Sequence, residues 1–276
     1  MTQTKTPHSP LVFIGGGNMA SAMIGGLIKQ GTPAQQIHVV EPFEEARQRL
    51  QQQFGIQAIA APDSSLNAAG LAVWAVKPQI FKEAATQTQA FLPQALHLSV
   101  AAGIRSDSIA QWLGNERVVR AMPNTPALVG LGQTGLFARS AVTPADRAWV
   151  EQVIATTGAY LWVAQEPLLD AVTAISGSGP AYVFFFIEAM VEAGVQMGLS
   201  AEQAKQLAIG TFVGASSLAQ ASDEPPSVLR ERVTSKGGTT YAAITAMQEH
   251  HVQSLFQQAL RAAQHRAKEL GDEFGG

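Results

Sequence analysis

The feature that most restricts the fold is a glycine triplet set between an apolar run and a helical pattern. Residues 11–14 (Leu-Val-Phe-Ile) read as a buried strand, Gly15-Gly16-Gly17-Asn18-Met19-Ala20 follows at once, and apolar residues then recur at helical spacing to Ile28, before Gly31. Strand, turn and helix in this order fit the pattern G-x-G-x-x-A. Gly15 makes the tight turn and Gly17 lets main chain approach a pyrophosphate. The helix start at Asn18 and Met19 offers unpaired N–H groups and a partial positive charge. Glycine triplets also occur in plain turns; the flanking strand and helix favour the dinucleotide-binding reading.

The rest of the first half repeats the alternation. Residues 37–40 form a second apolar run ending at Glu41-Pro42, 44–54 read as a helix, and 71–76 and 96–100 are further apolar runs. Helical patterns cover 80–91 and 106–113, and the Val118-Val119 run makes another strand. Strands alternating with helices, and apolar throughout, imply a parallel sheet covered on both faces. Beyond about residue 164 no strand pattern remains. Helices are expected over 181–199, from the capping-box pair Ser200 and Gln203 towards Ala221, over 227–233, 240–248 and 252–270, with Gly271 after the last. The expected fold is therefore α/β, a Rossmann-type doubly wound sheet over 1–165 followed by an all-helical domain over 166–276.

Hydrophobic residues make up 46% and charged residues 14% of the 276, too little charge to cover the surface of a monomer, which points to surface hidden in a homo-oligomer. The apolar run 181–199 is long enough to suggest a membrane span. Glu188 and Glu192, one helical turn apart at mid-span, would be costly in lipid, so a helix in a protein interface is the better reading. A formal net charge of −3 with no basic stripe argues against nucleic acid or an anionic membrane as partner. The absence of cysteine excludes disulfides, thiolate catalysis and cysteine-bound metal, and fits a reducing compartment. The six histidines form no HxxxH pair, so no metal site is expected. The first ten residues read as a loose tail without the apolar run of a secretory signal. A cytoplasmic protein with a small-molecule substrate is expected.

Several segments have residue types suited to ligands. Glu41 ends the second strand, where an acidic group bonds a ribose 2′-hydroxyl and disfavours a 2′-phosphate. It also has the reading of a solvent-facing charge, and Arg47 is close enough in sequence to offset it or to reach a phosphate, so NADH and NADPH both stay open. Ala75-Val76-Lys77-Pro78 lies at the carboxyl edge of the sheet, with Pro78 fixing the loop; Lys77 is either a ligand contact or an exposed loop lysine. Ala101-Ala102-Gly103 is small enough for a nicotinamide ring to lie against its backbone, or equally for close helix packing. Asn124, between Pro123 and Pro126, belongs to a rigid loop on the same edge. In the helical half, Ser176-Gly177-Ser178-Gly179-Pro180 precedes the long helix. Val233-Thr234-Ser235-Lys236-Gly237-Gly238-Thr239-Thr240 places a glycine pair among hydroxyls at a helix start, a nest for a carboxylate or an ordinary capped turn.

Taken in order, the runs IGGGNMA, AVKPQ, SVAAGI, RAMPNTPA, SGSGPAY and VTSKGGTT resemble those of pyrroline-5-carboxylate reductases, and the likeness extends from Leu11 to Leu270. The last two runs are the specific ones. The resemblance implies a C-terminal helical domain that intertwines with a second copy, in a dimer that builds larger rings. It also implies NADPH- or NADH-dependent reduction of 1-pyrroline-5-carboxylate to L-proline. The candidate dinucleotide residues are Gly15, Gly17, Asn18, Met19, Glu41, Ala75, Val76, Lys77, Pro78, Ala101, Ala102, Gly103 and Asn124. Ser235, Gly237, Gly238 and Thr239 are the candidate carboxylate site, and Thr240 the catalytic candidate. Two departures stand out: Lys236 where relatives usually have proline, and Glu41-Pro42 where NADPH-preferring relatives have small polar or basic residues. The long helix contains no lysine to act as an acid, which argues against a β-hydroxyacid reductase of the same two-domain plan.

Overall fold

The computed structural model describes residues 9–275; apart from Ser9 and Pro10, the expected loose tail lies outside the described residues. Contacts divide the chain into two compact units, Met1–Ser178 with Ala263–Gly276, and Gly179–Ala262. The division falls later than the expected boundary at 165, and the end of the chain returns to the first unit.

The first unit runs β1 (Leu11–Ile14), α1 (Asn18–Lys29), β2 (Ile37–Val40), α2 (Glu44–Phe54), β3 (Leu71–Trp74), α3 (Pro78–Thr88), β4 (Leu96–Ser99), α4 (Ser106–Leu113), β5 (Val118–Met122), β6 (Gly132–Ala138), α5 (Pro144–Ile154), β7 (Gly158–Trp162) and α6 (Leu168–Val172). The sheet order is β2-β1-β3-β4-β5-β6-β7. The first five strands are parallel, with Leu11 opposite Ile37 on one side and Leu71 on the other. Side chains of a strand alternate between faces, and β1 shows the result. Leu11 and Phe13 join Met23 and Ile24 of α1, Leu50 of α2 and Val150 of α5 in one core. Val12 and Ile14 join Phe81 of α3 and Ile109 of α4 in the other. Both faces are covered, as a near-continuous apolar strand requires.

The expectation of a wholly parallel sheet is corrected at one edge, where β6 runs antiparallel to β5 and β7 parallel to β6. Neither strand is legible in the sequence, because Gly132, Gln133 and Gly135 break the apolar alternation of β6 and β7 lies half exposed. With β2 and β3 on opposite sides of β1, the crossovers diverge between β1 and β3. Open α/β sheets bind their ligands at such a divergence, outside the carboxyl ends of the strands.

The second unit contains α7 (Gly179–Gln196), α8 (Ala201–Gln220), α9 (Pro226–Arg232), α10 (Thr239–Glu249) and the first part of α11 (Val252–Phe274). The expected capping box is present: Gln203 N–H donates to Ser200 Oγ at 3.1 Å, and Ser200 N–H donates to Gln203 Oε1 at 2.9 Å. α7 and α8 pack closely because Gly194 has no side chain; a Cβ there would lie 2.8 Å from that of Ala204. Much apolar surface is left uncovered within the single chain, with Phe185 67%, Val213 62% and Leu218 71% exposed, an amount that marks an interface rather than a free surface. The helical stretch Leu168–Gln196 is long and apolar enough to cross a membrane by length and composition; Glu188 and Glu192 on it are exposed. Gly271 does not follow the last helix but lies inside it. A Cβ there would come 2.5 Å from Arg105 Nε, so that glycine makes room for a guanidinium.

Candidate active site

The glycine turn is built by main-chain bonds from three strands. Gly15 N–H donates to the Val40 carbonyl and Ala75 N–H to the Ile14 carbonyl, both at 2.8 Å. Gly15 has φ +97°, and a Cβ on it would lie 2.7 Å from the Ala75 carbonyl oxygen and 3.1 Å from Val76 Cγ1. Only glycine satisfies both the left-handed conformation and that approach. The turn and the Ala75-Val76 loop are thus one surface at the divergence point. Gly17 is exposed, and nothing lies within 4 Å of where its Cβ would be. It caps α1 without a side-chain bond, and the first turn of α1 has no acidic residue. The N–H groups there are uncapped, as a pyrophosphate site requires. Asn18 is exposed, Met19 half-buried against the core.

Glu41 is 6% exposed. Its Oε2 accepts from Gly16 N–H at 2.7 Å and its Oε1 from Phe43 N–H at 2.9 Å, so the carboxylate braces the middle of the glycine turn. Arg47 does not pair with that carboxylate. Its Nη1 donates to the main-chain oxygens of Glu41 and Pro42 at 2.9 and 2.6 Å. Lys77 is exposed at the N-cap of α3, and Pro78 occupies the first helical position.

Two of the small-residue segments have packing partners. Gly103, with φ +73°, faces Leu270 and Phe274: a Cβ would lie 3.1 Å from Leu270 Cβ. Its size serves the docking of the end of α11. Ala101 is buried and Ala102 half-buried. Asn124 is a brace: its Nδ2 donates to the carbonyl and Oγ of Ser176, each at 3.2 Å, and its Oδ1 accepts from Gln133 N–H at 2.9 Å. Ser176 lies in a π-helical turn, Thr173–Gly177, a rare form that recurs at functional sites. The side chain of Asn124 therefore fixes Ser176, the first residue of the SGSG segment, from the β5 loop.

Sequence reasoning missed the ionic network that holds Glu166 and Asp170, ahead of that segment in the chain. Glu166 accepts from Ser106 N–H, Ser106 Oγ and Arg120 Nη1, each at 2.6 Å. Asp170 receives a two-point bond from Arg105 at 3.0 and 2.9 Å. Burial pulls the Arg120 guanidinium below its ordinary value, and the charge of Glu166 opposes that. The sequence signal was Arg120 itself, a charge inside a strand pattern that demands a partner.

In the second unit, Ser235–Gly238 forms a turn closed by Gly238 N–H donating to the Ser235 carbonyl at 3.0 Å. Gly237 has φ +76°. Gly238 is the N-cap of α10 and has no side-chain bond to it. The hydroxyls of Ser235, Thr239 and Thr240 form none of the hydrogen bonds found among the described residues, whereas Thr234 donates to the Arg230 carbonyl. Ser235, Lys236, Gly237 and Thr239 are exposed; Gly238 and Thr240 are half-buried. Three free hydroxyls at an uncapped helix N-terminus suit a carboxylate. No group of three or more His, Cys, Asp or Glu able to hold a metal occurs among the described residues.

Nearly the whole chain has counterparts among known proteins. Residues 166–270 match the family described as pyrroline-5-carboxylate reductase dimerisation, and residues 10–103 match NADP oxidoreductase coenzyme F420-dependent. A pyrroline-5-carboxylate reductase of Pseudomonas aeruginosa is 43% identical over 267 residues, 96% of this chain and 98% of the relative. The solved reductase of Coxiella burnetii is 38% identical with a TM-score of 0.88, covering 95% of this chain and 98% of its own. That of Plasmodium falciparum, solved with NADP bound, is 28% identical with a TM-score of 0.84, over 95% and 98%. A glycine turn at the divergence of a doubly wound sheet, a hydroxyl-lined helix start and full-length similarity to these enzymes together make this chain a member of the pyrroline-5-carboxylate reductase family.

Proposed function

We propose that this chain reduces 1-pyrroline-5-carboxylate to L-proline with NADPH or NADH, as a cytoplasmic homodimer that assembles into a larger homo-oligomer. Residues 1–165 serve as the dinucleotide domain and 166–276 as the substrate and dimerisation domain. The supporting observation is the set of unused donors at Ser235, Thr239 and Thr240 beside the uncapped start of α10. The exposed apolar faces of α7 and α8 are read as the surface covered by the second copy, and the net charge of −3 supports neither nucleic acid nor an anionic membrane as partner.

The dinucleotide fits the glycine turn, where the open space at Gly17 and the uncapped α1 suit a pyrophosphate, and when bound it supplies a hydride from nicotinamide C4. Gly15, Gly17, Asn18 and Met19 form the phosphate cradle. Glu41 lies at the ribose end, and Ala75, Val76, Lys77, Pro78, Ala101, Ala102, Gly103 and Asn124 form the strand-edge wall. Ser235, Gly237, Gly238 and Thr239 hold the substrate carboxylate through hydroxyl and N–H donors. Thr240 orients the proton on the imine nitrogen; a hydroxyl is too weak an acid to supply it alone, so placement carries the effect. Replacing Thr240 by Ala lowers kcat by roughly 100-fold with dinucleotide affinity retained, read by spectrophotometric turnover and by NADPH titration. Unchanged turnover removes Thr240 from the mechanism.

A further inference from the structure

Beside the glycine turn lies an open cleft of ≈590 Å³ lined by Glu41, Phe43, Glu44, Glu45, Ala46 and Arg49. Its charge is one-sided, with three carboxylates and one guanidinium. Arg47, which the sequence places within reach, is spent on the Glu41 and Pro42 carbonyls. Neither Glu45 nor Arg49 takes part in any of the ion pairs found among the described residues, and Glu44 receives a neutral amide from Gln48 at 3.1 Å. Arg49 is the one guanidinium fork in this lining, set against three carboxylates, and no second arginine lines the cleft to pair with it on a phosphate.

We propose that this chain excludes a 2′-phosphate at the adenosine end of its dinucleotide, so that NADH is preferred to NADPH, and that Glu41 determines the preference. The inference rests on the dinucleotide reading above and deepens it. How firmly Glu41 is held decides the preference. A solvent-facing glutamate could swing away from a phosphate. Glu41 is 6% exposed and anchored by two N–H groups at 2.7 and 2.9 Å, one of them Gly16 of the phosphate turn, so moving aside would break both bonds. A carboxylate has about four acceptor positions and no donor. Two are used here, which leaves lone pairs for a ribose hydroxyl and nothing to offer a phosphate. Glu44 and Glu45, both exposed in the first turn of α2, extend the same repulsion.

The test is equilibrium binding to the full chain, free of turnover. Calorimetric titration compares NADH with NADPH, and ADP-ribose with 2′-phospho-ADP-ribose, the second pair isolating the adenosine end. The wild type is expected to bind the unphosphorylated member of each pair at least roughly tenfold more tightly, because an unscreened like charge must be accommodated by its competitor. Glu41→Ser weakens both members, since the turn loses its brace, but brings their ratio to near unity; the ratio is the readout. Glu44→Gln with Glu45→Gln, at exposed positions that do not endanger folding, narrows the ratio while leaving NADH affinity in place. Equal binding by the wild type, preference for the phosphorylated ligands, or a ratio unmoved in Glu41→Ser overturns the inference. Where Glu41→Ser does not fold, the wild-type ratio and the double variant decide it. Failure of every ligand to bind overturns the dinucleotide reading itself and this inference with it.

Discussion

Removing the Glu166 carboxylate strips one of the most buried charges in the first unit of its partner. The Arg120 side chain is 6% exposed and that of Glu166 15%, with Ser106 N–H and Oγ bound to the same carboxylate. Breaking a buried ion pair from one side costs about 3–5 kcal/mol, because the remaining charge stays desolvated. The stranded Ser106 N–H adds about 1 kcal/mol or more, part of it overlapping, so Glu166→Ala should lose about 4 kcal/mol. For a chain of this size each kcal/mol moves Tm by about 2–4 °C, giving a fall of roughly 8–16 °C in a thermal melt. The comparison needs one fixed protein concentration, since assembly contributes to the melt. Glu166→Gln keeps an acceptor for Ser106 and should fall about half as far. The paired change Arg120→Met with Glu166→Leu removes both charges and should recover most of the loss. A fall of less than about 3 °C in Glu166→Ala, equivalent to roughly 1 kcal/mol, would refute the argument that this pair anchors α6.

Two further outcomes follow from particular contacts. Gly26→Ala puts a methyl 2.6 Å from the Thr156 carbonyl oxygen; overpacking of about 1–3 kcal/mol outweighs the gain of about 1 kcal/mol in helix propensity, so Tm falls, and a rise would show that α1 has room. His97 accepts from Trp74 Nε1 at 3.1 Å through Nδ1, its Nε2 is buried without a partner, and burial lowers its pKa from 6.5 to about 4. The folded state then binds less proton than the unfolded one between those values. Stability is therefore lost as pH falls from 6.5 towards 4, by about 3 kcal/mol in all. The drop in Tm between pH 7 and pH 5 should be smaller in His97→Gln, and equal drops would exclude His97 as the cause.

The strands that could be read from the sequence are those buried on both faces. β1 to β5 present runs of Leu, Val, Ile and Trp that no other element explains, and the Ser200 and Gln203 cap was visible as a pair of residue types three apart. β6 and β7 were not legible, since glycines and half-exposed residues give no period. Gly271 misled for a related reason: a glycine after a periodic run signals a helix end, but here the missing side chain makes room for Arg105, a tertiary fact with no local trace. At the site, Gly15 and the SKGGTT turn were readable because φ above zero and bare N–H groups call for glycine. The direction of the Glu41 carboxylate, turned inward to Gly16, and the bracing of Ser176 by Asn124 depend on side-chain orientation across 25 and 52 residues, which spacing does not encode.

The last turns of α11 belong to the first unit. Leu270 and Phe274 fill the space opposite Gly103, and Ser108 Oγ donates to the Gly275 carbonyl at 2.9 Å. Synthesis proceeds from the other end, and domains generally fold as they emerge from the ribosome. Here the sheet unit cannot be completed until the stretch from Ala263 onward has followed the whole of the second unit, and the face around Gly103 is bare in the meantime. Loss of Leu270 and Phe274 therefore strikes the unit made first, and fragments ending near residue 165 leave that face without its cover.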